Sequence, residues 1–290
     1  MIVVRGGRTL RLDPSAVLGV GGEATVVAID ANTVAKVWHQ PTPQRATKLK
    51  LLLDARSTFP AAVAAPTEAL HDAAGTVIGC VIPRVPAEFA PIATMLRRSP
   101  RPRVAEIVGT FAELGAVVDA LHAASVVVGD LNDQNELVHG GAVRLIDVDG
   151  FQLAGSPCVV ATEAYADPCL YGSDLSAAPR FTPATDFYAL AVLLFRALVA
   201  AHPYGGTHGS LGSLAARATA RVWLFDPSVK YPSKVALPRA VLSPELDHFF
   251  QSVFVLGARL PLPITALARH AAAVRTCGDC GLEAPRALAA

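Results

Sequence analysis

Asp130, Asn135 and Asp147 are spaced so that three oxygen-bearing side chains can meet. The first two lie in Val128-Gly129-Asp130-Leu131-Asn132-Asp133-Gln134-Asn135, which runs into the apolar strand Glu136-Leu137-Val138. A turn at Gly140-Gly141 and a second apolar strand follow, ending in Leu145-Ile146-Asp147-Val148-Asp149-Gly150. A hairpin of this kind carries all three side chains to one end. Carboxylate and amide oxygens are the hard ligands that Mg²⁺ takes. Phosphoryl transfer asks a protein mainly to hold such a cation against phosphates and to set a carboxylate beside the attacking hydroxyl. In that reading Asp147 is the principal ligand, Asn135 the second, and Asp130 accepts or orients the substrate proton. The plainer alternative is that Asp130, Asn132, Asp133 and Asp147 cap turns, as Asx residues do.

The elements that must position these groups can be read from pattern. Val17 to Ile29 reads as strand, turn, strand, with Gly19, Gly21 and Gly22 at the turn and β-branched residues resuming after it. Glycines there let a backbone approach a polyphosphate, although a lone glycine turn is also an ordinary hairpin. Thr33-Val34-Ala35-Lys36-Val37-Trp38 is a strand with one lysine among apolar neighbours, which either snorkels from an edge or reaches phosphate. Pro43 to Ala55 predicts a helix with Leu49, Leu52 and Leu53 on one face, and Thr76 to Val85 a buried strand running into Pro83. Pro91 to Pro102 reads as loop with a basic cluster at Arg97, Arg98, Arg101 and Arg103, either a solvated face or a docking site. Apolar residues from Val104 to Leu121 recur at helical spacing, predicting a helix over 104–123 with His122 in its last turn. Asp186 to Phe195 is apolar almost all round, the mark of a buried helix, with Thr185 and Asp186 at its start. Pro244 to Phe254 and Leu262 to Ala273 read as closing helices.

A chain of 290 residues that is 52% hydrophobic can bury a large core, as one domain or two lobes. A net charge of +1 gives no reason to expect nucleic acid or an acidic membrane surface as partner. The first residues lack a long apolar region, and the most apolar run stops at Arg196, too short to span a bilayer. With five cysteines at no framework spacing, a reduced, cytoplasmic setting is expected. Cys277-Gly278-Asp279-Cys280 is a single C-x-x-C knuckle, a half-site for Zn²⁺ unless His270 or a partner completes it, or else two surface thiols.

The succession of glycine turn, strand lysine, D-x-x-x-x-N and Ile-Asp resembles the protein-kinase fold. In detail it is similar to bacterial eukaryotic-like Ser/Thr kinases with a G-D-x-N-x-x-N catalytic loop and an I-D-x-D metal motif, over about Leu18 to Leu267. The resemblance implies an α+β, bilobal protein-kinase-like fold: residues 1–86 as a β-rich N-lobe, 87–275 as a helical C-lobe, and 276–290 as a tail available for partner docking. It implies ATP and Mg²⁺ or Mn²⁺ as cofactors and a protein, or the chain itself, as substrate, with neither nucleic acid nor membrane as partner. Gly19, Gly21, Gly22 and Ala24 would form the glycine loop, and Val26 would pack on adenine. Pro83 and Val85 would offer the hinge backbone. Lys36 would be the strand lysine, Asp130 the catalytic aspartate, Asn135 and Asp147 the metal ligands, and Asp186 the anchor of the catalytic loop. Asp149 is either a further metal ligand or a turn carboxylate. Phe151 to Pro168 would be the activation segment.

Several positions depart from that pattern. The helix glutamate that pairs with the strand lysine is missing: Gln44, Arg45, Thr47 and Lys48 stand there instead, so Asp54 or Glu68 substitutes or phosphate alone holds Lys36. Val128 and Gly129 replace histidine and arginine, so phosphorylation of Ser156 or Thr162 is not expected to switch activity through that arginine. Asn132 replaces the catalytic-loop lysine, and slow turnover is expected. Cys169 replaces the glutamate that locks the segment to a late arginine, here Arg259, leaving the segment loosely held. Three functions follow: a protein kinase, a nucleotide-binding pseudokinase scaffold, or a small-molecule kinase of the aminoglycoside-phosphotransferase type. The turn His202-Pro203-Tyr204-Gly205-Gly206 and the Asp186 helix favour the first over the third.

Overall fold

In a computed structural model, which describes residues 2–278 and 281–285, the chain is mixed α and β. Strands β1 (Ile2–Arg5), β2 (Arg8–Arg11), β3 (Val17–Val20), β4 (Ala24–Ala28) and β5 (Thr33–Trp38) precede helix α1 (Pro43–Ala55), and β6 (Glu68–His71) and β7 (Val77–Pro83) follow it. These seven strands form one sheet of order β2-β1-β6-β7-β5-β4-β3 in which every pairing is antiparallel. The β1–β2 hairpin had no counterpart in the sequence reading. Its first strand offers Ile2, Val3 and Val4, but the second has only Leu10 among Arg8, Thr9 and Arg11, so no paired apolar pattern announces the hairpin.

The register sorts the sheet into two faces. Val26, Lys36 and Cys80 stand abreast on β4, β5 and β7, as do Ala28, Val34 and Ile82, and directly opposite residues share a face. That face meets α1 through Leu49 and Leu53, which cluster with Trp38 and Cys80. The reverse face buries Val27, Ala35, Val37 and Val81 against Val3, Leu12 and Leu70. Gly79 permits the close β5–β7 approach, because a Cβ there would lie 2.1 Å from the Lys36 carbonyl oxygen.

The rest of the chain is mainly helical. A two-residue strand β8 (Ala90–Pro91) and helices α2 (Ile92–Leu96) and α3 (Val104–Ala123) lead to the hairpin β9 (Glu136–His139) and β10 (Ala142–Leu145). Helices α4 (Pro183–Val199), α5 (Leu214–Ala220), α6 (Pro244–Phe254) and α7 (Ile264–Ala273) follow. The Pro91 to Pro102 stretch is therefore not all loop. Its basic residues interrupt the pattern, but Ile92, Ala93 and Met95 are buried and close a helical turn. Helices α1, α4 and α6 each open on a hydroxyl residue followed by proline; the proline presets φ, and in α1 the Thr42 hydroxyl also caps, accepting from Arg45 N at 3.2 Å. One large core joins α3, α4, α6 and α7, with Phe195 packed edge-on to Phe250 and Phe254. Among the described residues no helix is long and apolar enough to cross a membrane. Cys280 lies outside the described residues, so the Cys277–Cys280 knuckle is not described here.

Helix α4 also fixes the Val128–Asn135 loop. The wholly buried Asp186 accepts from the backbone N–H of Val128 (2.8 Å) and Gly129 (2.9 Å), and from His122 Nε2 (2.9 Å) at the end of α3. His122 thus serves structure, not chemistry. A carboxylate taken out of water is tolerated only when such donors satisfy it, and removing it strands all of them. Asp186→Ala is expected to lower the unfolding free energy by about 3 kcal/mol in urea denaturation; a loss under about 1 kcal/mol would contradict this role.

Candidate functional site

Lys36 leaves the α1 side of the sheet and its Nζ donates to both Asp147 Oδ1 and Asp149 Oδ1. The two carboxylates follow β10. Asp147 sits in the left-handed region at φ +60 and Asp149 in the short 3-10 turn Val148–Gly150. That turn is what aims both at one ammonium. Burial works against the Lys36 cation, but Asp149 and Asp147 outweigh it and hold its pKa above the usual lysine value. Burial would likewise raise the Asp149 carboxyl, yet Lys36 prevails and keeps it below the ordinary range. The Asp147 side chain is 50% exposed and that of Asp149 only 22%.

The expected substitutes for the helix glutamate do not reach Lys36. Glu68 is engaged by Arg5 at 2.8 Å and Asp54 is exposed on α1. Nor does Lys36 stand without protein partners; Asp147 and Asp149, after β10, take it. On α1 it is Lys48 that faces this loop, with Nζ donating to Pro157 O (2.7 Å) and Gly150 O (3.4 Å). Burial lowers its pKa. The sequence signal for Lys48 was its place one turn before Leu52, which is fully buried.

Asp130 and Asn135 are brought to the same end of the β9–β10 hairpin. Asn135 Nδ2 approaches Asp130 O at 3.4 Å, and Ile146 N donates to Asn135 O at 3.0 Å, so the asparagine is stitched to the residue preceding Asp147. Asn132 organises the loop: its Nδ2 donates to Asp130 O (2.9 Å) and Oδ2 (3.0 Å), while its Oδ1 accepts from Gln134 N and Asn135 N. Asp130 Oδ1 accepts from Thr162 N at 2.6 Å. Beneath them Glu136 is buried, which pushes its pKa well above the usual carboxylate value, and it accepts from Asn132 N.

The glycine turn joins β3 to β4, the strand that pairs with the Lys36 strand. Gly19 pairs with Val26, and Gly21 N closes on Ala24 O at 2.9 Å. His39 Nδ1 meets Gly22 O at 3.2 Å, a tether the sequence did not announce. A Cβ on Gly19 or Gly22 would meet nothing within 4 Å. No contact inside the chain therefore demands glycine at these positions. Pro83 ends β7 opposite Thr33, and Val85 follows outside the ladder, half-buried. Among the described residues no group of three or more His, Cys, Asp or Glu is arranged to hold a metal. The donors at hand are the Asp147 carboxylate and the Asn135 amide oxygen, with Asp149 set further back. These are hard oxygen donors of the kind Mg²⁺ takes, and a cation, the Lys36 ammonium, already lies between the two carboxylates.

The segment after this loop is not loosely held. Arg259 pairs with Asp167, two residues before Cys169, through both Nε and Nη2, the latter at 2.8 Å. Burial raises the Asp167 carboxyl, but Arg259 and the Cys169 N–H together bring it below the usual range. Gln152 clamps Phe181, donating to its carbonyl at 2.6 Å and accepting its N–H at 3.1 Å. Gly129 has φ +81, and a Cβ on it would come within 2.8 Å of Cys158 Sγ, so no arginine fits there. Burial pushes the Cys158 thiol to about 11, which makes it unreactive. In the basic cluster, Arg98 is paired with Glu106 and Arg101 with the Ala197 carbonyl.

His202 ties this segment to the end of α4, with Nε2 2.7 Å from Ala164 O and Nδ1 accepting from Tyr204 N at 3.0 Å. That pattern needs the neutral ring. Burial lowers its pKa from 6.5 to about 4. The unfolded chain takes up the proton near 6.5, whereas the folded one resists until about 4, so the stabilisation is full above 6.5 and lost as pH falls toward 4. The melting temperature of the wild type should fall more steeply over that window than that of His202→Asn. Parallel slopes would contradict the assignment. In comparison with known proteins, no family model and no curated protein matches this chain, so the functional argument rests on the geometry.

Proposed function

We propose that the chain is a protein-kinase-like phosphotransferase that binds ATP with Mg²⁺ or Mn²⁺ and passes the γ-phosphate to a hydroxyl of itself or of a protein partner. The observation that carries this reading is the meeting of Lys36, from the middle of a sheet, with Asp147, 111 positions later at the end of the β9–β10 hairpin. Asp130 and Asn135 stand at the same end, held from below by Asp186. The glycine turn, open above β4, supports a polyphosphate approach from that side.

In this reading the sheet and the helical part are the two lobes, and Pro83 to Val85 is the hinge. Lys36 binds phosphate oxygens, Asn135 and Asp147 hold the cation, and Val26 covers the base. The cation, when bound, neutralises charge on the β- and γ-phosphate oxygens. Asp130 receives the proton of the attacking hydroxyl as its oxygen bonds the γ-phosphorus and the bond to the β-phosphate oxygen breaks, releasing ADP. Asn132 is spent on the backbone and brings no positive charge to the transferred group, which favours slow turnover.

A second reading, nucleotide binding without transfer, is favoured by one observation: both Asp130 carboxylate oxygens are already engaged, by Thr162 N and Asn132 Nδ2. Incubation with γ-labelled ATP and Mg²⁺ or Mn²⁺ separates the two. Label is expected on the wild type, with a loss on the order of 10²-fold or more in Asp130→Ala and Asp147→Ala. ATP-dependent thermal stabilisation without label would instead establish the second reading, and neither label nor stabilisation would remove both.

A further inference from the structure

The acidic partner of Lys36 lies on neither the helix nor the sheet that face it. The only acid on α1 is Asp54, which is exposed. The position turned toward the metal loop carries Lys48, of opposite sign. We propose that the orienting acid has been relocated: Asp149 positions Lys36 from the metal loop, and Lys48, in the place of a helix acid, fastens α1 to the segment after that loop. This inference rests on the nucleotide reading above and assigns Asp149 a role other than metal ligand.

Exposure divides the two carboxylates that share Lys36. Asp147 turns half of its side-chain surface to solvent, as a group that meets a hydrated cation must, whereas Asp149 is recessed. Asp149 belongs to a turn whose other residues are fixed: Val148 is buried, Gly150 N closes on Asp147 O at 2.9 Å, and Gly150 O receives Lys48. A carboxylate held by such a turn can steady a lysine on an adjoining strand. Lys48 completes the arrangement from the other side, since its bonds to Gly150 O and Pro157 O span the turn and the following chain. The local balance is two ammonium groups facing two carboxylates.

Asp149 is here a positioning residue, and its test separates positioning from metal binding. Affinity for a fluorescent ATP analogue is measured with Mn²⁺ and again with EDTA. Asp149→Asn should weaken binding about tenfold in both conditions, because Lys36 meets phosphate with or without metal, whereas Asp147→Asn should weaken it mainly with Mn²⁺. Asp149→Glu, which keeps the charge, should recover to within about threefold of the wild type and guards against simple misfolding. Wild-type affinity in Asp149→Asn, or an Asp149→Glu variant no better than Asp149→Asn, would overturn the proposal. A wild type that binds no nucleotide would instead remove the nucleotide reading. The pairing itself is then decided without ligand by a thermal-unfolding cycle of Lys36→Met and Asp149→Asn. The double loss should fall short of the sum of single losses by about 2 °C or more, and additive losses would overturn the pairing.

Discussion

The Lys36 ammonium between Asp147 and Asp149 is the contact on which the arrangement turns. It joins a residue in the middle of the seven-stranded sheet to the loop that ends the β9–β10 hairpin. A cation buried under a sheet is costly unless carboxylates meet it, so the sheet face, the 3-10 turn at Val148–Gly150 and α1 must be set with respect to one another. Val26 and Cys80 flank Lys36 in register, and Leu49 and Leu53 press α1 against that face. Lys48 reaches past them to the backbone of the following segment.

The other half of the site is held by buried polar anchors, not by apolar contact alone. Asp186 collects two backbone N–H groups and His122, Asn132 closes the loop around Asp130, Gln152 grips Phe181, and Arg259 secures Asp167. Each anchor lies far in sequence from what it holds or sits at a turn. A loop carrying Asp130 and Asn135 can keep one shape only if its backbone groups have fixed partners. The side chains proposed to do chemistry thus rest on residues that do none.

Much of this was legible in the sequence where local physics decides. The helices at Pro43–Ala55, Val104–Ala123 and Pro244–Phe254 match the apolar periodicity. The strand carrying Lys36 and the hairpin around Gly140-Gly141 also appear where alternation and turn residues put them. Long-range pairings were not legible. Nothing near Lys36 in sequence names Asp149 as its partner, because the pairing spans 113 positions and comes from a turn and not from the neighbouring helix. Asp167 is hidden for a similar reason: it takes Arg259 from two positions before Cys169, across a long stretch of chain. The β1–β2 hairpin and the short helix α2 were hidden by charged and proline-rich surroundings.

These contacts give the proposed nucleotide site one indispensable feature, a lysine and an aspartate already in register before any ligand arrives. Calorimetric titration of a non-hydrolysable ATP analogue with Mn²⁺ tests this most directly. The wild type is predicted to bind, and both Lys36→Met and Asp147→Asn to bind about tenfold more weakly or not at all. Heat of binding that is absent in the wild type, or unchanged in both variants, would contradict the account.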